Sequence, residues 1–284
     1  MPNRQHIKTI LHDRHLAPSK RLGQNFLVDE EVVELLLDRA APGENDTIVE
    51  FGVGLGSLTI PLARRVKRVI GIEIDSGIIR WHEEKGVLPS HVSLRHADLL
   101  KTDFRALVAE TGGRLKIIAN LPYSISGPLL FALIEHHRHI ESAVLMLQKE
   151  VAERLVARPG SKAYGVLSVL LGACARIEAI LEVGPEHFHP RPKVDSLVVR
   201  MSFQPPAPGM GDGQTAMLKA LVKGAFQQRR KTIVNALATA AIGGVADKEV
   251  IAQRLGSVGI EPARRADQIT VGEYLLLARA YGGE

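Results

Sequence analysis

Residues 47–75 read TIVEFGVGLGSLTIPLARRVKRVIGIEID, and the succession of patterns in that stretch decides the fold. TIVEF is a short apolar run suited to a buried strand, GVGLGS a glycine-rich turn, LTIPLARRV a helix and RVIGIEI a second strand. Upstream, DEEVVELLLDRAA has helical spacing behind Asp29, a natural N-cap. Downstream, SGIIRWHEEK reads as a helix, VSLRHAD as a third strand, LKIIAN as a fourth, GPLLFALIEHH as a helix and SAVLMLQ as a fifth strand. Strands alternating with helices imply a parallel sheet covered on both faces. ARIEAILEV and SLVVRMSF add two strand-like runs joined only by GPEHFHPRPKVD. A connection without a long helix suits antiparallel strands better than parallel ones. The expected fold class is α/β, with a mainly parallel seven-stranded sheet and an antiparallel strand near one edge.

Composition shifts at QPPAPGMGDGQ, residues 204–214, which is rich in proline and glycine and reads as a linker. Beyond it, AMLKALVKGAF, TIVNALATAAI, DKEVIAQRLGSVG and TVGEYLLLARAYG all have helical patterns. The expected organisation is a first domain over 1–203, carrying a basic N-terminal arm, and a small all-helical domain over 215–284.

Bulk properties narrow the class. With 284 residues and 45% hydrophobic content the chain can bury a sizeable core. A net charge of +5, from 36 basic and 31 acidic residues, points modestly to an anionic partner. A single cysteine, Cys174, excludes an intramolecular disulfide framework, and its setting in LLGACARI reads as a buried, inert thiol. The N-terminal segment has no continuous apolar core of a secretory leader, and no stretch approaches the ~20 apolar residues that span a bilayer. A cytoplasmic protein is expected. The 11 histidines show no metal-ligand spacing, so no metal is expected; His136 and His137 read as a solvated or helix-capping pair.

Glycines at 52, 54 and 56 allow a tight turn and close approach of a ligand to the backbone. Their G-x-G-x-G spacing differs from the G-x-G-x-x-G of dinucleotide sites. Glu73 ends the second strand, where a carboxylate can accept from ribose hydroxyls, and Asp98 ends the third, where it can accept from the amino group of an adenine. Asp75 reads as a helix N-cap. These residues suit a nucleoside-bearing cofactor, NAD or S-adenosylmethionine. NLPYSIS, residues 120–126, favours the second. The Asn120 side-chain oxygen and the Leu121 backbone carbonyl can accept hydrogen bonds from an amine, and Tyr123 offers a face on which a base stacks. Acceptors fixed around the N–H bonds of an aromatic amine favour a pyramidal nitrogen, whose lone pair can attack a sulfonium methyl group. Pro122 fixes the turn and biases Leu121 toward extended backbone. A dehydrogenase has no evident use for this arrangement.

SKRLGQNFL, VEFGVGLGSLT, VIGIEID, ADLL, NLPYSIS, LQKEVAERLVARPGSKAYGVLSV, FHPRPKVDSLVVRM and FQQRRKTIVNAL occur in the order seen in the KsgA family, the small-subunit ribosomal RNA adenine dimethyltransferases. The resemblance covers residues 18–280. It implies a class I, Rossmann-like methyltransferase using S-adenosylmethionine without a metal. The acceptors it implies are two adjacent adenines near the 3′ end of small-subunit rRNA, each methylated twice at N6; small-subunit rRNA or an immature small subunit is the expected partner, and a monomer the expected form. By the same resemblance Gln24, Asn25 and Leu27 border the donor, Gly52 and Gly54 meet its methionine portion, Glu73 its ribose and Asp98 its adenine. Asn120 holds the target amine, while Tyr123 and Phe188 sandwich the target base. Lys149, Arg154, Arg191, Lys193, Arg229, Arg230 and Lys231 lie in blocks expected to face RNA phosphates. Phe51 and Val53 depart from the family's E-I-G-P-G. Rival readings are a large-subunit rRNA methylase of the macrolide-resistance type, a DNA adenine methylase, a non-catalytic assembly factor and an NAD-dependent oxidoreductase.

Overall fold

A computed structural model describes residue 9, residues 24–204 and residues 212–282. The rest of the expected N-terminal arm, and most of the expected linker at 204–214, lie outside the described residues. A two-residue strand, β1 (Phe26–Leu27), precedes helix α1 (Glu30–Ala40). Next come β2 (Thr47–Phe51), α2 (Thr59–Ala63), β3 (Arg68–Glu73), α3 (Ser76–Lys85) and β4 (Val92–His96). They lead to α4 (Phe104–Thr111), β5 (Leu115–Asn120), α5 (Ser126–Glu135) and β6 (Ile140–Gln148). Two helices, α6 (Lys149–Leu155) and α7 (Val166–Gly172), stand before β7 (Ala175–Val183), β8 (Phe188–His189) and β9 (Ser196–Phe203). Helices α8 (Asp212–Gln227), α9 (Ile233–Ala240), α10 (Lys248–Ser257) and α11 (Val271–Gly282) follow.

Seven strands form one sheet in the order β4-β3-β2-β5-β6-β9-β7. The first five neighbours run parallel. β9 is antiparallel to β6, with Ser142 opposite Ser202 and Gln148 opposite Ser196. The antiparallel strand therefore lies one place in from the edge strand β7. Separately, β1 pairs antiparallel with β8, with Leu27 opposite Phe188.

The core explains why these runs take these positions. α1 buries Val33, Leu36 and Leu37, the i, i+3, i+4 stripe of an amphipathic helix. They join a cluster with Ile48, Val69, Ile118, Val144 and Val198 from five strands. Full burial of each such side chain stabilises by about 1.5–3 kcal/mol. Asp29 caps α1, accepting from the backbone N–H groups of Glu31 and Val32. Helix α4 is absent from the sequence reading, which has nothing between the third and fourth strands. Its signals are Asp103, whose side chain accepts from Arg105 and Ala106 N–H, and Gly112, left-handed at the far end.

Two compact units divide the chain: residues up to Ala152 with Ile177–Phe203, and Glu153–Arg176 with the residues from Gln204 onward. This differs from a cut at 203, because 153–176 packs with the C-terminal helices. Tyr164 is buried and its hydroxyl donates to the Ile269 carbonyl at 2.9 Å. The Phe226 ring lies 6.3 Å from both Tyr164 and Tyr274. Cys174 donates its thiol hydrogen to the Leu170 carbonyl, and burial pushes its pKa up to about 12. His137 Nδ1 lies 2.9 Å from the Ile134 carbonyl near the end of α5, whereas His136 stacks on Phe104. Among the described residues no helix is long and apolar enough to cross a membrane, and no cluster of His, Cys, Asp or Glu could hold a metal ion.

The unusual Phe51 and Val53 both pack inward. Phe51 is fully buried, edge-on to Phe104. Val53 reaches over β3, so that a Cβ on Gly71 would stand 2.4 Å from Val53 Cγ2. A β-branched side chain has little freedom to retreat. Gly71→Ala is therefore expected to destabilise by about 1–3 kcal/mol. Denaturant midpoints should show most of that loss removed in a Val53→Ala background, where the clashing methyl is gone.

Candidate active site

The carboxyl ends of β2, β3, β4 and β5 open onto a cavity of about 100 Å³, roofed in part by residues 24–27. Ligands in open α/β sheets bind at this edge. The glycine turn after β2 has Gly52, Gly54 and Gly56 at φ of 79°, 53° and 79°, backbone that favours glycine. Gly52 N–H donates to the Ile72 carbonyl at 2.8 Å, tying the turn to β3.

Glu73, the last residue of β3, is buried, with its carboxylate held by the backbone. Oε1 accepts from Ile74 and Asp75 N–H and Oε2 from Gly54 N–H, each at 2.9 Å. Burial raises its pKa, and the hydrogen bonds from Asp75, Gly54 and Ile74 offset part of the rise. A carboxylate oxygen has two lone-pair sites, so Oε2 can still accept from a ligand hydroxyl. Asp98 also lines the cavity; its Oδ1 accepts from Leu100 N–H at 3.0 Å, leaving the other oxygen for a donor in the cavity. Asp75 caps α3 through Gly77 and Ile78 N–H, and Gln24 Nε2 reaches its second oxygen at 3.5 Å.

Asn120 closes β5 and lines the same cavity. Its Nδ2 donates to the Asn25 carbonyl at 3.4 Å, so Oδ1 is the atom presented as an acceptor. Leu121 buries its side chain and contributes only backbone. Tyr123 is half-buried, and its hydroxyl lies 2.8 Å from the buried Ser196 Oγ at the start of β9. Burial raises the Tyr123 pKa, partly offset by that hydrogen bond. Thus Gln24, Asn25, Leu27, Gly52, Gly54, Glu73, Asp98 and Asn120 surround one cavity.

Phe188 is not presented as a second stacking ring. It is 1% exposed and sits in the core cluster with Leu27, Val33 and Val198. Pairing of β8 with β1 turns it inward, where it supports the strand that roofs the cavity. The basic residues separate into two groups. Arg191, Lys193, Arg154, Arg230 and Lys231 are exposed. Arg191 lies 3.9 Å from Glu186, Lys149 is half-buried and forms an ion pair with Glu182, and Arg229 bonds to Asp267 and the Ser161 carbonyl, which gives it a structural role.

Glu50 is missing from the sequence reading of the site. It lines the cavity at 1% exposure, and neither oxygen has a hydrogen-bond partner among the described residues. Burial pushes its pKa up to about 8. Thr59 nearby offsets some of that rise without closing a hydrogen bond of ordinary geometry, and the charge of Glu73 adds to it. Ser57 and Thr59 hydroxyls are likewise buried without partners. The signal was in TIVEF: a carboxylate inside an otherwise apolar parallel strand is costly unless something pairs with it.

The family model for ribosomal RNA adenine dimethylase matches residues 17–281. "Ribosomal RNA small subunit methyltransferase A" of Desulfotalea psychrophila is 44% identical over 98% of this chain and 96% of its own length. The protein of the same name from Syntrophus aciditrophicus is 40% identical over 96% and 98%. A solved dimethyladenosine transferase from Plasmodium falciparum superposes with a TM-score of 0.73 at 25% identity, covering 88% of this chain and 94% of that one. An antiparallel strand beside the edge of a parallel sheet, a glycine turn and an Asn-Leu-Pro-Tyr strand end thus accompany a full-length sequence match, and the chain belongs to the ribosomal RNA adenine dimethylase family.

Proposed function

We propose that this protein transfers methyl groups from S-adenosylmethionine to N6 of two adjacent adenines near the 3′ end of small-subunit rRNA, dimethylating each. The observation that carries the reading is Asn120, an amide acceptor that lines the same cavity as Glu73 and Asp98. The names of the relatives support the small subunit over the large one. We assign an immature small subunit as the particle and a monomer as the acting form.

The cavity residues fit the donor. Glu73 and Asp98 offer acceptors for a ribose diol and an adenine amino group, and the glycine turn leaves the backbone open to approach. The unpartnered Glu50 carboxyl fits the donor's ammonium group, the positive charge its burial leaves it lacking. When bound, S-adenosylmethionine supplies a methyl group activated by the positive charge on its sulfur. Asn120 Oδ1 and the Leu121 carbonyl accept the N–H bonds of the target amine and so localise its lone pair for attack. Tyr123 supplies the stacking face, steadied through its hydroxyl by Ser196. The adenine must be single-stranded or extruded to reach Asn120. Exposed Arg191, Lys193, Arg230 and Lys231 take the phosphate contacts; recognition rests on RNA shape more than on base reading.

A pH effect follows from Glu50. With its pKa at about 8, the empty site holds a proton at pH 7. A cation placed beside it favours the carboxylate, so donor binding at pH 7 should release a proton and tighten as pH rises toward 8. Calorimetry in buffers of different ionisation enthalpy measures the release. A Glu50→Gln variant should lose it.

Label from methyl-tritiated S-adenosylmethionine tests the substrate. Offered immature small subunits, naked small-subunit rRNA, large subunits or duplex DNA, the protein is expected to label the small-subunit RNA. Label confined to large subunits or DNA overturns the proposal.

A further inference from the structure

His82, on α3, lies outside every role assigned above, yet its ring is 3% exposed and directed at the glycine turn. Its Nε2 lies 2.8 Å from the Gly54 carbonyl oxygen. The N–H of the same Gly54 donates to Glu73 Oε2 at 2.9 Å, so the residue is held at both its amide and its carbonyl. The imidazole also packs on the last glycine of the turn: its Cε1 is 3.3 Å from where a Cβ on Gly56 would stand. Trp81 meets the ring edge-on at 4.6 Å, fixing its orientation from the helix side.

The other ring nitrogen makes the residue informative. Nδ1 is buried with no hydrogen-bond partner among the described residues. Burial lowers the His82 pKa and keeps the ring neutral, so Nε2 carries the hydrogen that Gly54 accepts and Nδ1 is a bare lone pair. A buried polar atom left unpaired is destabilising, and a leucine would fill a similar volume without it. What leucine lacks is the hydrogen bond to Gly54. Three glycines at positive φ within five residues have little intrinsic preference for one conformation, so contacts from outside must fix the turn.

We propose that His82 is a positioning residue for the donor site, pinning the Gly54 peptide, and with it the glycine turn, in the conformation the donor meets. This inference rests on the reading of the cavity as the S-adenosylmethionine site. It acts through the turn, not by touching the donor, so it sets donor affinity more than the methyl-transfer rate.

The test compares wild type, His82→Leu and His82→Gln for binding of S-adenosylmethionine and S-adenosylhomocysteine by calorimetry, with melting temperatures in parallel. His82→Leu is expected to bind both about three- to tenfold more weakly, the loss of one hydrogen bond, with its melting temperature held within a few degrees or raised. His82→Gln, which can still donate to Gly54, is expected to stay within about twofold of wild type, by the same hydrogen-bond reasoning. In turnover, KM for the donor should rise more than kcat falls. A leucine variant that binds as wild type does, or a folded glutamine variant as weak as the leucine one, overturns the inference. Failure of wild type to bind either ligand would instead overturn the functional reading beneath it.

Discussion

Replacing Asn120 by alanine is expected to slow methyl transfer by about two to three orders of magnitude, the scale seen when one pre-placed polar group is removed from a transition state. The site contains no evident substitute. Leu121 would keep its backbone carbonyl, but one acceptor cannot hold both N–H bonds of an amine. Asn120 is fixed from below, since β5 pairs with β6 through Asn120 opposite Met146, and from the side by the bond from its Nδ2 to the Asn25 carbonyl. That second bond borders the donor cavity, so the variant should also lose a little donor affinity, a few-fold at most by the net worth of one hydrogen bond. Single-turnover rates at saturating donor, set beside donor dissociation constants, separate the two effects. An alanine variant with near-normal single-turnover rates would remove Asn120 from the chemistry.

Glu73→Ala is expected to act on donor binding and stability together. Its carboxylate accepts three backbone N–H groups, from Gly54, Ile74 and Asp75, while 5% exposed. Alanine leaves all three without that partner. Orphaned buried donors cost about 1–3 kcal/mol each, but Ile74 is exposed and Asp75 half-buried, so water can replace part of the loss there. A net destabilisation of about 2–4 kcal/mol is therefore expected, from the same per-group scale. The Gly54 end matters more for function, because the turn loses one of its two ties to β3, keeping only the bond from Gly52 N–H to the Ile72 carbonyl, and the ribose loses its acceptor. Donor affinity should fall by about a hundredfold or more, as for loss of charge-assisted hydrogen bonds. Glu73→Gln keeps one acceptor oxygen and should be intermediate in both respects. Chemical denaturation and donor titration on the three proteins measure them side by side.

Much of this architecture is legible in the sequence because the strands stand out as short runs rich in apolar and β-branched residues, bounded by turn residues. LKIIAN, ARIEAILEV and SLVVRMSF coincide with β5, β7 and β9 residue for residue. Helix α4 escapes because its eight residues bury only Phe104 and Leu107, too few for a clear period. The grouping of 153–176 with the C-terminal helices escapes for another reason. Which unit covers the apolar VLSVLLG of α7 is decided by tertiary packing, and adjacency in the chain suggests the wrong neighbour.

The cavity is similarly half-visible. Glu73 and Asn120 announce themselves as polar residues closing strands, and Asp98 as one just past the end of β4, where it also caps a short turn. Glu50 and His82 sit one residue inside a strand and mid-helix, and only the folded structure shows that one has no hydrogen-bond partner among the described residues and the other braces Gly54. Phe188 carries the opposite lesson. Its stacking role comes from the family resemblance alone, whereas a phenylalanine following a strand reads as core, and here the pairing of β8 with β1 leaves it 1% exposed.

On the reading proposed above, the cavity and Asn120 together dimethylate adjacent adenines of small-subunit RNA. Nucleoside digestion and mass spectrometry of small-subunit RNA, after exhaustive reaction with wild-type protein and S-adenosylmethionine, test it most directly. N6,N6-dimethyladenosine is expected at two neighbouring positions near the 3′ end, absent when Asn120→Ala replaces wild type. Methyl groups on another base, on a ring nitrogen, or at scattered sites would contradict it.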